Sequence, residues 1–261
     1  MMMNLHSYHL VNLSPWPVMA GFGGLFLTLG FLTMIKIHFY LLFYISVINI
    51  IIVSVQWWKN IIIESTFLGC HTMKVTYSMK WGMITFIISE VLLFISFFWA
   101  FFYNSFIPMT TIGMKWPPFM IHVFNPLDVP LLNTMILLSS GVAATWSHFL
   151  IKSDLKTKAN LTLLMAILLG VYFTMLQVWE YYQASFSIYD SIYSSLFFIM
   201  TGFHGFHVLV GTLFLIVALN RIIKSEFSNY HHFGLEASLW YWHFVDVVWL
   251  FLYFSIYYYK I

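Results

Sequence analysis

The chain has 261 residues, of which 61% are hydrophobic, 21% aromatic and only 8% charged, about a third of the roughly 25% charged residues of soluble domains. That composition excludes a water-soluble globule. Eleven Lys or Arg against nine Asp or Glu leave a net charge of +2 without a basic run, so a nucleic-acid partner has no electrostatic footprint here. One cysteine, Cys70, excludes an internal disulfide, a Cys-based zinc site and an iron–sulfur cluster held by this chain alone.

A bilayer core of about 30 Å takes roughly 20 helical residues to cross, and seven apolar stretches of about that length follow one another. The segment before the first lacks a basic region and a small-residue cleavage site, so no cleaved signal or presequence is read there. The spacing predicts helices over 15–35 and 38–58. The connector 59–80, with Glu64, Ser65, Thr66, Cys70, His71, Thr72 and Lys74, is expected to be an interfacial strap separating a two-helix unit from a five-helix unit. A third helix is predicted over 81–107. The following stretch, 108–130, holds Trp116, Pro117, Pro118, Asn125, Pro126 and Pro130, whose fixed φ angles and missing N–H groups favour turns and an ordered outer-side loop. Four more helices are predicted over 130–150, 159–183, 192–220 and 236–258. Stretches 41–55, 91–102 and 196–200 are apolar all round, as lipid-bathed helices are. The short alternating segments of a β-barrel are absent from the sequence. The expected fold class is therefore an all-α membrane protein of seven transmembrane helices.

Lys and Arg accumulate on the side from which a chain is inserted. The connections between helices two and three, four and five, and six and seven carry Lys59, Lys74, Lys80, Lys152, Lys156, Lys158, Arg221 and Lys224, against Lys36, Lys115 and Lys260 opposite. The N-terminus is accordingly expected on the inner side.

A charged residue at mid-helix costs about 2.5 to 3.5 kcal/mol on insertion scales and marks a functional position by default. Glu90 lies roughly 14 Å into the third helix, near mid-membrane. Desolvation there favours the neutral acid unless a cation is near, which makes Glu90 a candidate for sensing or tuning proton traffic. Asp246, at a similar depth in the seventh helix, follows His243 by three residues, so the two can share a proton or orient one another. His204 and His207 lie three apart in the sixth helix, and with Glu90 these residues form a buried polar layer. Gly202, Gly205 and Gly211 are expected to let a neighbouring helix close on that face. Haem ligation by His204 or His207 facing His243 is geometrically open, but the sequence lacks a second histidine pair spaced for another haem. Packing is the favoured reading for each histidine, and no metal site is assigned. At the inner interface Trp57, Trp58, Glu64, Thr66 and His71 suit phospholipid headgroups, and Arg221 and Lys224, with His231 and His232, form a second basic cluster.

The runs Trp57-Trp58, Glu64-Ser65-Thr66, His71-Thr72, Ser89-Glu90, Trp116-Pro117-Pro118, Asn125-Pro126 and Pro130-Leu131-Leu132-Asn133-Thr134 resemble subunit 3 of mitochondrial cytochrome c oxidase. So do Gly202-Phe203-His204-Gly205-Phe206-His207, His232-Phe233-Gly234, Glu236-Ala237 and the block Trp240-Tyr241-Trp242-His243-Phe244-Val245-Asp246-Val247-Val248-Trp249. Their order and spacing carry the resemblance across essentially the whole chain. It implies a two-helix and a five-helix unit around a V-shaped, lipid-filled cleft, in the mitochondrial inner membrane with the N-terminus on the matrix side. It implies a core subunit of respiratory complex IV, which passes electrons from cytochrome c to oxygen and pumps protons. Haem a, haem a3 and copper would reside in partner subunits 1 and 2, and this chain would carry no cofactor and no catalytic residue. Its implied role is to stabilise the haem-bearing subunit and maintain proton uptake. Glu90 matches the carboxylate that reacts with a hydrophobic carbodiimide. Trp57, Trp58, Glu64, Thr66, His71, Arg221 and Lys224 match contacts to phospholipids such as phosphatidylglycerol and cardiolipin. Accessory subunits and respiratory supercomplexes are the further partners implied.

Overall fold

The computed structural model describes residues 7–108, 110, 113–119 and 121–259, and Lys260 of the charge count lies outside them. The described residues form seven helices long and apolar enough to cross a membrane, and no strand. They are α1 (Trp16–Ile37), α2 (Leu41–Thr66), α3 (Met73–Phe106), α4 (Val129–Lys152), α5 (Lys156–Gln183), α6 (Ile192–Ile223) and α7 (Phe233–Leu252), the last continued by a π-helical turn, Tyr253–Tyr258.

Each predicted helix is present, and the largest departure lies in the expected strap. Helix α2 runs on to Thr66 and α3 starts at Met73, which shortens the non-helical connection to 67–72. The polar stretch contains no proline and, outside Gly69, no glycine, so backbone bonding continues through the interface into the helix ends. Gly69 breaks the path with φ +61°, a conformation that side chains resist. Thr72 then ties the chain down: its hydroxyl donates to the Ser7 carbonyl at 2.5 Å.

The chain divides into two compact units, Met1–Met79 and Lys80–Ile261. In the first, α1 packs on α2 through two glycines one heptad apart. A Cβ at Gly30 would meet the Phe43 backbone at 2.8 Å, and one at Gly23 would meet Ile50 Cγ1 at 3.0 Å; the missing side chains set the approach of the two helices.

In the second unit α4, α5, α6 and α7 close a ring in which each packs against two others. Helix α6 opens on a capping box: Ser191 Oγ accepts from the Ser194 N–H at 3.1 Å while Ser194 Oγ accepts from the Ser191 N–H at 2.8 Å, satisfying N–H groups that helix starts leave unpaired. The ring is centred on Trp242, fully buried. A Cβ at Gly170 of α5 would sit 2.6 Å from its Cη2, and one at Gly211 of α6 would sit 2.9 Å from its Cε3. The indole thus occupies a slot that exists because both residues lack side chains. Its N–H donates to Ser140 Oγ of α4 at 2.9 Å, and that hydroxyl donates onward to the Leu137 carbonyl at 2.6 Å. Helix α3 lies over α6 and α7 through aromatic pairs, with Phe97 against Phe203 and Phe86 stacked on Tyr241.

Of the three glycines expected to admit a neighbour, Gly211 alone does so closely. A Cβ at Gly202 would reach Tyr181 Oη at 3.9 Å, and one at Gly205 would meet nothing within 4 Å. The space beside Gly205 is open. In the 108–130 stretch Trp116 is buried, edge-on to Phe101 and Tyr193 with centroids 5.5 and 5.6 Å away, which orders that part of the loop.

Gly211→Ala should therefore cost about 1 to 3 kcal/mol by overpacking against Trp242, whereas Gly205→Ala should leave stability nearly unchanged. Thermal unfolding of the detergent-solubilised protein checks this, and equal losses at both positions would contradict the slot.

Candidate functional site

The five residues of the expected polar layer all lie in the second unit, where the structure sorts them into two pairs and one isolated ring. Glu90 of α3 meets His207 of α6, with Oε2 and Nε2 2.9 Å apart. His207 Nδ1 stands 2.6 Å from the carbonyl of Phe203, one turn earlier. A carbonyl only accepts, so Nδ1 carries a proton. Nε2 then either accepts a proton from a neutral Glu90 or, as part of an imidazolium, donates to a carboxylate. Both descriptions place one proton in the 2.9 Å contact and leave the pair with no net charge, which lowers the cost of holding two ionisable groups in an apolar bundle. The Phe94 ring packs edge-on against His207, 5.1 Å between centroids, while 22% of the Glu90 side chain is exposed. The pair is therefore sealed on the α6 side and open at the carboxyl.

The second pair lies within α7: His243 Nδ1 is 3.4 Å from Asp246 Oδ2. Asp246 fits against α4 because a Cβ at Gly141 would fall 2.5 Å from Oδ2. His243 is 41% exposed and lines an apolar groove of about 520 Å³ with Ile87, Val91 and Ile95 of α3 and Val247 and Phe251 of α7. His204 joins neither pair. Its Nε2–H donates to the Val245 carbonyl at 3.3 Å, and the fully buried ring lies between Phe173 and Trp249. Among the described residues its buried Nδ1 has no hydrogen-bond partner. Each histidine weighed as a haem ligand is thus held by a protein group of its own.

Five of the headgroup candidates, Trp57, Trp58, Glu64, Thr66 and His71, lie in the first unit. The end of α2 carries Trp57, half-buried, and Trp58, 64% exposed. Beyond them Glu64 Oε2 stands 4.0 Å from His9 Nδ1, and the His9 and His71 rings are 6.2 Å apart. Glu64, His71 and His9 therefore converge, whereas Thr66 turns its hydroxyl back onto the Ile62 carbonyl at 2.7 Å. In the second unit Arg221 is engaged from inside: its Nε donates to Glu226 Oε2 at 3.0 Å and its guanidinium lies 4.3 Å over the Phe227 ring. Lys224, which caps α6, is exposed.

Two features escaped the sequence reading. Glu180 of α5, 1% exposed, accepts from Gln177 Nε2 at 3.3 Å; a carboxyl near a helix end looks like an interfacial residue until packing buries it. His148, His232 and Glu236 also come together, and the signal for two of the three was the four-residue spacing of His232 and Glu236.

The family model described as Cytochrome c oxidase subunit III matches residues 6–261. The chain belongs to that family. It is similar to curated proteins named Cytochrome c oxidase subunit 3, for instance from Pisaster ochraceus, 51% identical over 98% of both chains, and Locusta migratoria, 50% identical over 97% of both. The protein of that name from Aedes aegypti is 50% identical over 97% of this chain and 96% of its own. The seven spans and the runs about Glu90, His204, His207, His243 and Asp246 sit inside the matched residues of this family member.

Nitrogen-15 spectra should find the Nδ1 of His207 protonated in the wild type and also in Glu90→Gln. An unprotonated Nδ1 in either would contradict the one-proton reading of the pair.

Proposed function

We propose that the chain is the cofactor-free third core subunit of a mitochondrial cytochrome c oxidase, the complex that passes electrons from cytochrome c to oxygen while moving protons across the inner membrane. Haem and copper chemistry belongs in this reading to partner subunits 1 and 2, which this chain and the accessory subunits surround. The family match from residue 6 to 261 supports membership of the complex, and the positive-residue count supports an N-terminus on the matrix side.

The observation that carries the protonic part is the Glu90–His207 contact at 2.9 Å. A pair that holds one proton between two groups can take up or release a proton with little rearrangement, since Nδ1 stays bonded to the Phe203 carbonyl throughout. The pair acts on proton uptake by the oxidase core as a nearby, slowly hydrated buffer and source of field, not as a redox group. Asp246 and His243 supply a second protonatable pair facing the groove, and His204 is a packing residue that fastens α6 to α7. Anionic phospholipid forms the other part of the role. Exposed Trp58 and half-buried Trp57 offer indole anchors, and Glu64 and His71, which converge with His9, offer polar groups for a headgroup such as phosphatidylglycerol. Lys224, with the outer nitrogens of Arg221, offers a second site for a lipid of cardiolipin type.

In the assembled oxidase Glu90→Gln should slow proton uptake severalfold while subunit content and haem content stay unchanged; time-resolved proton uptake after a reductant pulse measures it. Unaltered uptake and pumping would refute the protonic role. Separately, a Trp58→Ala, His71→Gln variant should lose bound anionic lipid in native mass spectrometry, and an unchanged lipid complement would refute the headgroup assignment.

A further inference from the structure

Where α4 ends and α7 begins, three side chains of metal-binding type point at one another. His148 lies in the last turns of α4, His232 caps α7, and Glu236 follows one turn into α7. Nε2 of His148 is 3.2 Å from Nε2 of His232; Oε1 of Glu236 is 3.4 Å from the second and 4.0 Å from the first. A tetrahedral zinc ion with ligands at about 2.0 to 2.1 Å holds neighbouring donor atoms roughly 3.3 Å apart. Two edges of the triangle are near that spacing, and a small rotation of the glutamate closes the third.

The surroundings orient these donors. His232 Nδ1 stands 3.0 Å from the Ser228 carbonyl, so Nδ1 carries the proton and Nε2 turns its lone pair toward His148. Glu236 Oε2 is ion-paired with Lys80 Nζ at 2.7 Å, which leaves Oε1 for the triangle. Histidine bonded to a carbonyl and carboxylate bonded to a donor are the outer-shell supports that fix metal ligands. Two imidazoles with facing Nε2 atoms 3.2 Å apart need a proton or a cation between them; a metal replaces that proton. His232 is nearly buried, while His148 and Glu236 are 25% and 16% exposed, so ions can enter and a fourth coordination position is available. Two nitrogens and one oxygen, with Lys80 offsetting the carboxylate charge, disfavour magnesium and calcium, which seek oxygen cages, and favour zinc.

We propose that His148, His232 and Glu236 form a binding site for a borderline divalent cation of the zinc type, which clamps α4 to α7 and, through Lys80, to α3. The site stands on the geometry of this chain and not on the role assigned to Glu90, so either can fail alone.

The test uses the full chain in lipid nanodiscs, titrated with Zn(II) against a coloured chelator, with empty nanodiscs as blank. One zinc per chain at this site is expected, with two imidazoles in its X-ray absorption spectrum and visible bands of tetrahedral type when Co(II) replaces it. His148→Gln and Glu236→Gln should each weaken binding by at least about tenfold, with helical content unchanged. His9→Gln, His71→Gln should leave this zinc in place. Should a variant fail to fold, the Co(II) spectrum and imidazole count of the unaltered chain decide. Binding no stronger than to empty nanodiscs, a metal shell without imidazole, or a zinc that survives His148→Gln but departs with His9 and His71 would each overturn the assignment.

Discussion

The rotational setting of α7 is fixed by one side chain, Trp242. Its indole fills a slot cut by the absent side chains of Gly170 and Gly211 and is held at its N–H by Ser140, so three helices determine how the fourth is turned. Every functional contact of α7 follows from that angle. Tyr241 is directed at Phe86 and His207, the Val245 carbonyl at His204, and Asp246 at Gly141 of α4. A turn of α7 by one residue, about 100°, would take Asp246 from its glycine recess and the Val245 carbonyl from His204. In lipid, where apolar surface gives little preference between helix and solvent, such close steric fits and interhelical hydrogen bonds supply the specificity that hydrophobic burial supplies in water.

The same absence of water explains how polar groups are distributed. Hydroxyls turn back on their own helices, as Ser147 does to the Ala144 carbonyl at 2.6 Å and Thr212 to the Leu209 carbonyl at 2.8 Å, so each is satisfied without a neighbour. Ionisable groups pair with one another as well, across or along helices: Glu90 with His207, His243 with Asp246, Lys80 with Glu236. Of these, Glu90 with His207 combines an interhelical position with a fixed tautomer, which suits a group that exchanges a proton and keeps its shape. The polar residues thus fasten helices, and in the proposed reading they also hold protons.

Much of this was legible in the sequence because a bilayer imposes a length. Seven apolar stretches gave seven helices, but the count along them began too late: α3 starts at Met73 and not at 81, so Glu90 lies 17 residues past its start, near the middle of the helix. Helix ends were less legible: the stretch from Lys59 to Thr66 carries enough polar side chains to suggest a strap, yet it contains no proline or glycine and remains helical. Partners were less legible still. Residues 117 apart, Glu90 and His207, meet because of how α3 lies on α6, and nothing in local periodicity encodes that. Glycines show the same limit. Gly202, Gly205 and Gly211 share one helix, but what each faces is decided by tertiary packing, and Gly141 and Gly170, which do receive side chains, stand in no motif. His148 and His232 are 84 residues apart and invisible as a pair until the bundle closes.

In the proposed reading the chain supports an oxidase through packing, protons and lipid while redox chemistry resides in its partners. A reduced-minus-oxidised absorption spectrum of the solubilised complex, repeated on the chain after dissociation, tests this most directly. Haem a bands in the complex and none in the isolated chain are predicted. A haem band that stays with the isolated chain would contradict it and turn His204, His207 and His243 from packing and proton-holding residues into ligands.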